Sequence, residues 1–455
     1  MADEVHAHHS YTQCVPHLTL LFALLGFGCS SSGSAIVTTK SSVPSGEPAD
    51  VGEDPPPQTP AEESEEEREE ADPETEEDPE TEEDPEGDLA EWTVLVYLNG
   101  DNNLEENALI DLNEMEEAGS TDEVHLLVQL DRSTRYTREE GNWSGARRYR
   151  VEQDSDPGQI TSPTLNDLGA VDSGIPSTYI DFVRWGAENF PAKRYALVIW
   201  DHGWGWDLTS STSRKGVSED EQTGNWLSVA DGDLTEILAA SKDITGDKLA
   251  LVGMDACLMA NWEVANVVAP YADVYVASQA TESLDGWAYH TAYADLIADP
   301  EMDAAELGTV FAWRFIETLD ATQSVVDLTA MDNLNAAVDA LALEIMDAEN
   351  PRRAIIDAAR SAQTFDGGVP DRDLGDLTLL LLEDSDSAPI AEAANVAWDE
   401  LNSTVIANYT HGSWVRNATG LSIYLPTRHS PDPTYNRGAW ADMTQWDEML
   451  QVISD

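Results

Sequence analysis

Apolar runs of strand length recur along this chain, and segments with a helical spacing of apolar residues separate them. The runs are rich in β-branched residues and lack polar alternation, which is typical of strands that are buried on both faces. The clearest runs are Trp92–Leu98, Val124–Leu130, Tyr195–Trp200, Lys248–Met254 and Val274–Ala277. Helical spacing is clearest at Leu104, Ala108, Leu112 and Met115. Because strands that alternate with helices form parallel βαβ units, the pattern predicts an α/β sandwich with a mostly parallel central sheet.

The second half of the chain has a different pattern. After about residue 290 the apolar spacing is mostly helical, apart from strand-like pieces at Val325–Leu328 and Gly420–Leu425. We therefore interpret residues 92–300 as the α/β core. Residues 301–455 are expected to pack on the same domain or to form a small subdomain.

An apolar run near the start predicts export. Leu18–Phe27 is too short to span a bilayer as a lasting helix, and it fits the core of a signal peptide. The run ends at Cys29, which Ser and Gly residues follow, as at a bacterial lipoprotein cleavage site. We predict that residues 1–29 are a signal peptide of the lipoprotein type, with lipidation at Cys29. The protein would then be a lipoprotein of the cell surface or outer membrane, and otherwise a secreted protein.

Residues 30–91 are rich in Ser, Pro and Glu, and they repeat the sequence DPETEE at Asp72–Glu77 and Asp78–Glu83. Such a composition cannot bury enough apolar surface to offset the entropy of the chain. The segment is therefore predicted to be a disordered acidic tether.

The charge of the whole chain is extreme, with a formal net charge of −65. Residues 1–91 contain 25 acidic and 2 basic residues, so the remainder is itself strongly acidic. This surface repels nucleic acid and anionic lipid headgroups, and it favours cations such as Ca²⁺ or basic peptides. Simple solubility would account for the charge equally well.

Two reactive side chains follow apolar strands of the predicted sheet. Tyr195–Trp200 runs into Asp201-His202-Gly203, and the next strand runs into Asp255-Ala256-Cys257. Parallel strands end at one edge of a sheet, so an imidazole and a thiol there would face one cleft. The imidazole can take the thiol proton, and the N–H groups of Gly203 and Cys257 can form an oxyanion hole. A hydrogen-bonded structural histidine and an inert buried cysteine are the alternatives.

The sequence motifs of this chain resemble those of the clostripain family of cysteine peptidases. The resemblance runs from about Trp92 to Leu425 and rests on WTVLVYLNGDNNLE, YALVIWDHGWGW, LVGMDACLMANWEVA, VASQATESLDGWAYH and GLSIYLP. It implies a caspase-like three-layer α/β/α sandwich. It also implies an endopeptidase in which His202 is the general base and Cys257 is the nucleophile that forms a thioester.

The resemblance further implies cleavage after Arg or Lys. By motif position, the acidic residues of the specificity pocket are Asp255 and Asp285. A pair of carboxylates binds a guanidinium bidentately and accepts an ammonium less well. The structural alternatives are a helix-capping acid for Asp255 and a turn residue for Asp285.

Self-cleavage between the His and Cys motifs is also implied by the resemblance. The segment Thr209–Asn225 is polar and rich in Gly and Ser, and it contains the dibasic pair Arg214-Lys215. We predict cleavage after Lys215 or after Arg214. Two ordinary surface charges are the alternative.

No cofactor is required for this chemistry. The sequence contains no EF-hand loop, no Cys/His cluster with zinc spacing and no phosphate-binding glycine loop. The family resemblance and the acidic surface are compatible with Ca²⁺ as an activator or structural ion. The expected partners are peptide or protein substrates with Arg or Lys, and a membrane through the lipid anchor. The protein is expected to be monomeric.

Two other functions remain open. One is a catalytically silent surface lipoprotein that binds basic peptides, and the other is a transpeptidase that uses His202 and Cys257.

Overall fold

The structure is a computed structural model that describes residues 89–156, 158–206, 216–316, 321–365 and 370–454. Several predictions concern other parts of the chain and lie outside the described residues. They are the signal peptide, lipidation at Cys29, the acidic tether up to residue 88, and cleavage at Arg214 or Lys215.

Thirteen strands and eleven α-helices are formed by the described residues. The strands are β1 (Ala90–Gly100), β2 (Val124–Arg132), β3 (Gly145–Arg150), β4 (Thr164–Gly169), β5 (Ala192–Trp200), β6 (Val217–Asp220), β7 (Asn225–Leu227), β8 (Leu249–Asp255), β9 (Ala272–Ala277), β10 (Thr322–Asp327), β11 (Asp371–Asp373), β12 (Val405–Thr410) and β13 (Ser422–Tyr424). The helices are α1 (Glu105–Ala118), α2 (Pro176–Asn189), α3 (Asp233–Thr245), α4 (Trp262–Val268), α5 (Tyr289–Ala298), α6 (Ala304–Ile316), α7 (Met331–Met346), α8 (Pro351–Ser361), α9 (Leu374–Asp384), α10 (Ala388–Thr404) and α11 (Trp446–Ser454).

Nine of the strands form one sheet in the order β12-β10-β9-β8-β5-β1-β2-β3-β4. The five central strands, from β9 to β2, are parallel. Two antiparallel strands extend the sheet at each edge. The predicted α/β sandwich with a mostly parallel core is therefore confirmed, while the outer strands β3, β4 and β12 were not predicted.

Both faces of the sheet are covered by helices, which explains why the central strands are continuous apolar runs. In β1, Val94 and Val96 belong to one apolar cluster, which also contains buried residues of α1, α5 and α6. Leu95 and Tyr97 point to the opposite face and join a second cluster with residues of α2, α3, α4 and α7. The molecule thus has the three layers that the family resemblance implies.

The second half of the chain contributes to the same sheet through β10 and β12. The late strand that the sequence predicts at Gly420–Leu425 does form, as β13, but it pairs with β11 in a separate two-stranded ribbon. Such a short segment cannot reveal its partner from its own apolar pattern.

The carboxyl ends of the parallel strands meet at one edge of the sheet. Leu98 of β1 is paired with Trp200 of β5, and Trp200 is paired with Asp255 of β8. On the other side of β1, Asn99 is paired with Asp131 of β2. The loops that follow these strands are therefore neighbours, and they hold the candidate functional residues.

Candidate active site

His202 and Cys257 lie at the same level in the loops that follow two neighbouring strands, β5 and β8. Trp200 and Asp255 form a register pair, and His202 and Cys257 each lie two residues beyond their member of that pair. Gly203 makes this approach close, because a Cβ atom at this position would collide with the carbonyl oxygen of Cys257. The structure thus brings together the two loops that the sequence predicted to face one cleft.

Three hydrogen bonds to other described residues hold His202, which is only 6% exposed. Its backbone N–H donates to Asp201 Oδ1 at 2.6 Å, and its carbonyl oxygen accepts from the Ser218 N–H at 3.1 Å. The ring nitrogen Nε2 lies 2.9 Å from Asn103 Oδ1. Because an amide oxygen only accepts, this contact places the imidazole proton on Nε2 and makes Nδ1 the basic nitrogen.

The neighbouring Asp201 fixes the loop that carries the histidine. Its Oδ1 accepts hydrogen bonds from the His202 N–H and from Asn102 Nδ2, and its Oδ2 accepts from Asn99 Nδ2 and from the Glu219 N–H. Burial raises the pKa of the Asp201 carboxyl well above its ordinary value, while the hydrogen bonds from His202 and Glu219 act in the opposite direction. Asp201 therefore connects the loop after β5 with the turn after β1 and with β6.

Cys257 has no exposed surface in this structure. Its Sγ accepts a hydrogen bond from the Glu282 backbone N–H at 3.2 Å. The next residue, Leu258, has a φ of 65°, so the chain turns sharply directly after the thiol. A small apolar cluster surrounds the thiol and consists of Leu258, Ala280, Phe365, Val415 and Ala418, with the partly buried Trp204 against it. Cys257 is thus packed among apolar side chains at the carboxyl end of the sheet.

Three buried carboxylates lie near this loop and affect one another. Asp255 Oδ2 accepts hydrogen bonds from the Trp287 N–H at 3.1 Å and from the Tyr289 hydroxyl at 2.9 Å. Burial raises the pKa of Asp255 to about 6. Burial and the nearby Asp255 charge raise the pKa of Glu282, and likewise that of Asp111, well above their ordinary values. The site thus contains more buried acidic groups than the sequence motifs indicated, and their raised pKa values favour the protonated forms.

Asp285 lies on the same segment as Trp287 but faces solvent. Its carboxylate accepts a hydrogen bond from Ser283 Oγ at 3.2 Å, and its charge contributes to the raised pKa of Asp111. At the next residue, Gly286, φ is 61° and a Cβ atom would lie 2.6 Å from Asp111 Oδ2. Of the two predicted pocket residues, Asp255 is thus buried and Asp285 is exposed.

Comparison with known proteins shows the family to which this chain belongs. The profile of the clostripain family matches residues 96–452, which is most of the chain. The chain belongs to the clostripain family. It is therefore a cysteine peptidase that acts on peptide or protein substrates, and the family predicted from the sequence motifs is confirmed.

Individual relatives of this clostripain-family protein are distant in sequence. The clostripain of Hathewaya histolytica is 23% identical over 406 residues, which cover 75% of this chain and 76% of that protein. An inactive zymogen C11 protease from Parabacteroides distasonis superposes with a TM-score of 0.59 at 20% identity, covering 78% of this chain and 99% of its own. A secreted C11 cysteine protease from Bacteroides thetaiotaomicron, in complex with an irreversible peptide inhibitor, gives 0.59 at 19% identity, covering 80% and 99%. These structures share the fold of the clostripain-family chain.

Two site residues of this clostripain-family protein were not predicted from the sequence. Asn103 lies in the polar turn after β1, and Glu282 lies in the loop after β9. The available signal was positional, since both residues follow parallel strands at the edge that carries His202 and Cys257. The helix after Cys257 is capped by Asn261, whose side chain accepts from the Val264 N–H, so Asp255 is not a capping residue.

We expect Asn103→Ala to lower kcat by about 10- to 100-fold with little change in KM, because the imidazole loses the acceptor that fixes its tautomer. Asn103 is exposed, so the melting temperature should stay within about 2 °C of the parent value. The measurement is steady-state kinetics with a peptide substrate beside a thermal melt. Glu106→Ala, another exposed change close by in the chain, is the matched control and should be neutral. A rise in KM at unchanged kcat would contradict the positioning role of Asn103.

Proposed function

We propose that this protein is a cysteine endopeptidase that cleaves after Arg, or after Lys, by means of His202 and Cys257. The observation that supports it best is the register of β5 and β8, which puts the histidine and the cysteine at equal distances beyond paired residues. The contact of Gly203 with the Cys257 backbone supports the same pairing. An inert buried cysteine would need neither feature.

The proposed reaction uses only groups of this chain and water. His202 Nδ1 takes the Cys257 proton while Sγ attacks the peptide carbonyl carbon, and the N–H groups of Gly203 and Cys257 stabilise the oxyanion. The imidazolium then gives its proton to the departing amine, and a thioester remains on Sγ. A water molecule, deprotonated by His202, attacks the thioester and releases the carboxylic acid and the thiol.

The specificity for a basic side chain is proposed to come from Asp255 and Asp285, and we add Glu282 to this group. Glu282 is buried, and its carboxyl group lies within hydrogen-bonding reach of Asp255 and Trp287. A guanidinium or ammonium that enters next to Cys257 would supply charged donors and a compensating charge to these carboxyl groups. Neutral P1 side chains would leave these carboxylates without a counter-charge.

Cleavage of four matched fluorogenic peptides tests the proposal. The full chain is assayed under reducing conditions with substrates that end in Arg, Lys, Leu or Asp before the scissile bond. We expect turnover of the Arg and Lys peptides only. Binding of these peptides without cleavage would favour the silent peptide-binding protein, and transfer of the acyl group to an added amine in place of water would favour the transpeptidase.

The chain is also proposed to process itself at Arg214-Lys215. Three other dibasic pairs lie in regular structure: Arg147-Arg148 in β3, Lys193-Arg194 in β5 and Arg352-Arg353 at the start of α8. Residues paired in strands or wound in a helix cannot extend into a peptidase cleft without local unfolding. Cys257 is buried in the intact chain, which is what we expect of an inactive precursor that cleavage activates.

We expect the double change of Arg214 and Lys215 to alanine to abolish the nick between the His and Cys motifs. The same change at Arg352-Arg353 is the matched control and should leave the nick in place. Gel electrophoresis with mass measurement of the fragments locates the cut. A nick at the same peptide bond in the Arg214/Lys215 variant, after allowance for the mass of the two substitutions, would refute this processing site.

A further inference from the structure

A fully buried carboxylate lies in the second half of the chain, where β11 meets α9. Asp373 ends β11 and has no exposed surface. Its Oδ1 accepts hydrogen bonds from the Asp376 N–H at 2.7 Å and from Thr419 Oγ1 at 2.6 Å. Its Oδ2 accepts from Gln279 Nε2 at 2.9 Å and from the Thr419 N–H at 2.7 Å. Burial raises the pKa of Asp373 to about 6, while these four hydrogen bonds act in the opposite direction, so the group is mostly ionised at neutral pH.

The two oxygens of Asp373 have different partners, and helix capping accounts for only one of them. The hydrogen bond from the Asp376 N–H caps the first turn of α9. A serine or threonine would cap that turn without burying a charge. Oδ2 instead joins the loop after β9, through Gln279, to the segment before β13, through Thr419. The second oxygen therefore indicates a role that capping does not explain.

Gln279 is held by its side chain and by its backbone. It is buried, and its Oε1 accepts a hydrogen bond from the Gly420 N–H at 2.8 Å while Nε2 donates to Asp373. Its backbone N–H donates to Thr322 Oγ1 at 3.0 Å. Both ends of the amide are thus engaged, which restricts the conformation of the loop after β9.

The loop that begins at Gln279 continues to the thiol of the proposed nucleophile. The Ala280 carbonyl oxygen accepts a hydrogen bond from the Leu258 N–H at 3.0 Å. Two residues further along, the Glu282 N–H donates to Cys257 Sγ at 3.2 Å. The loop therefore bonds both the sulfur atom and the residue that follows it. A shift of this loop would move the thiol together with the adjacent backbone N–H that is proposed for the oxyanion hole.

The apolar cluster around the thiol is attached to the same carboxylate. Two of its members, Ala280 and Ala418, are chain neighbours of Gln279 and Thr419. Both of these neighbours donate hydrogen bonds to Asp373. One buried side chain thus connects two of the segments that pack against the thiol.

We propose that Asp373 is a positioning residue for the nucleophile, and that it acts through Gln279 and Thr419 to hold the loop after β9 against Cys257. The inference rests on the proposed function, in which Cys257 attacks the peptide bond. Attack on a carbonyl carbon needs close alignment, and a misplacement of about 1 Å costs about 100-fold in rate. Asp373 acts only through these neighbours, so its loss should lower kcat and leave KM nearly unchanged.

The variant Asp373→Ser separates positioning from capping. Serine Oγ still accepts from the Asp376 N–H, whereas the oxygen that bonds Gln279 is removed. We expect kcat for an Arg peptide to fall by about 10- to 100-fold per active site, with KM within about twofold of the parent value. Active sites are counted by titration with a cysteine-directed peptide warhead, so a misfolded or unprocessed fraction does not enter the rate.

Glu116→Ala is the matched control for the loss of a buried carboxylate. Glu116 is 1% exposed and accepts hydrogen bonds from the Thr161 and Ser162 N–H groups. It lies near the end of α1, shortly before β2 begins at the opposite edge of the sheet. This variant and Asp373→Ser should both melt several degrees below the parent, yet Glu116→Ala should keep the parent kcat. An equal fall of kcat in both variants would show a general effect of stability and would overturn the proposal.

Gln279→Met breaks the same connection from the other side with a side chain of similar volume. It should lower kcat by a similar factor, and the double variant with Asp373→Ser should be no more than about threefold below the slower single variant. Losses that multiply would show that the two residues act independently, which contradicts the proposal. If Asp373→Ser does not fold, Gln279→Met is compared with Glu116→Ala in its place.

Backbone hydrogen exchange measures the connection without any turnover. In Asp373→Ser, the amides of Leu258 and Glu282 should exchange at least about tenfold faster than in the parent, and Glu116→Ala should leave them unchanged. Unchanged exchange in Asp373→Ser, or faster exchange at an unchanged kcat, would overturn the inference. If the parent chain cleaves no peptide, the proposed function fails, and the exchange rates alone then support or remove the connection between Asp373 and Cys257.

Discussion

Replacement of Cys257 by alanine is expected to lower kcat/KM for an Arg peptide by at least about 10⁴-fold, to the background of the assay. The reaction has no other nucleophile at this position, since the Sγ atom forms and breaks the thioester. His202→Ala should cause a loss of similar size, because the thiol then lacks its proton acceptor. The double variant should be no worse than either single one, since residues that act as a unit are not additive.

The fold should survive the Cys257→Ala change. The side chain is buried in a small apolar cluster, and among the described residues alanine leaves the Glu282 N–H without its acceptor. One such lost hydrogen bond costs about 1 to 3 kcal/mol, which a domain of this size tolerates. Circular dichroism and a thermal melt check that the loss of activity is chemical.

The other two cysteines, Cys14 and Cys29, provide a matched control. Changing both to alanine removes two thiols and leaves Cys257, so the turnover of the Arg peptide should remain. A thiol-directed peptide warhead should still label this double variant, and it should fail to label Cys257→Ala. Full activity in Cys257→Ala would refute the proposed dyad and would mean that another residue is the nucleophile.

The central strands and the meeting of two reactive loops could be predicted because both follow from local patterns. A strand buried on both faces is a continuous apolar run, and parallel strands end at one edge, so His202 and Cys257 were expected at the same edge of the sheet once their strands were recognised. The outer strands could not be recognised in this way. The strand β3, for example, has the sequence GARRYR, with three arginines in six residues and no apolar run.

The hydrogen bonds that position His202 and Cys257 could not be predicted from the sequence, for a different reason. Asn103 is 99 positions from His202, and Glu282 is 25 positions from Cys257. Each lies in a polar turn whose composition fits any surface loop. Only the strand order, which places β1 beside β5 and β9 beside β8, decides which turns meet. The exposure of Asp285 likewise depends on the packing of Gly286 against Asp111, which no motif shows.

Removal of one pocket carboxylate is expected to separate recognition from chemistry. Asp285→Ala should lower kcat/KM for the Arg peptide by about 100- to 1000-fold, because a guanidinium then enters a pocket with one charge fewer. The rate at which a cysteine-directed warhead without a basic group labels Cys257 should change less than about threefold. Glu282→Gln should act in the same direction, since it keeps the backbone N–H that bonds Cys257 Sγ and removes the carboxyl group that would ionise beside a guanidinium.

The control for this prediction must reproduce the change in net charge on a chain that carries −65. Asp332→Ala does so at an exposed position on α7, and it should affect the Arg peptide and the neutral warhead equally and slightly. Equal large losses of both rates in Asp285→Ala would mean that this residue supports the Cys257 loop and does not select the substrate.

The pH dependence of selectivity gives the pocket a second, independent signature. Burial raises the pKa of Asp255 to about 6, so this carboxyl is charged above pH 6 and becomes neutral as the pH falls through that value. A neutral acid attracts a guanidinium less than a carboxylate does, so the ratio of labelling by an Arg warhead to labelling by a neutral one should fall below about pH 6. Taking the ratio cancels the titration of the dyad, which both warheads share. In Asp255→Asn the ratio should be low at every pH, whereas a ratio that still falls near pH 6 in that variant would assign the charge selectivity to another carboxylate of the group.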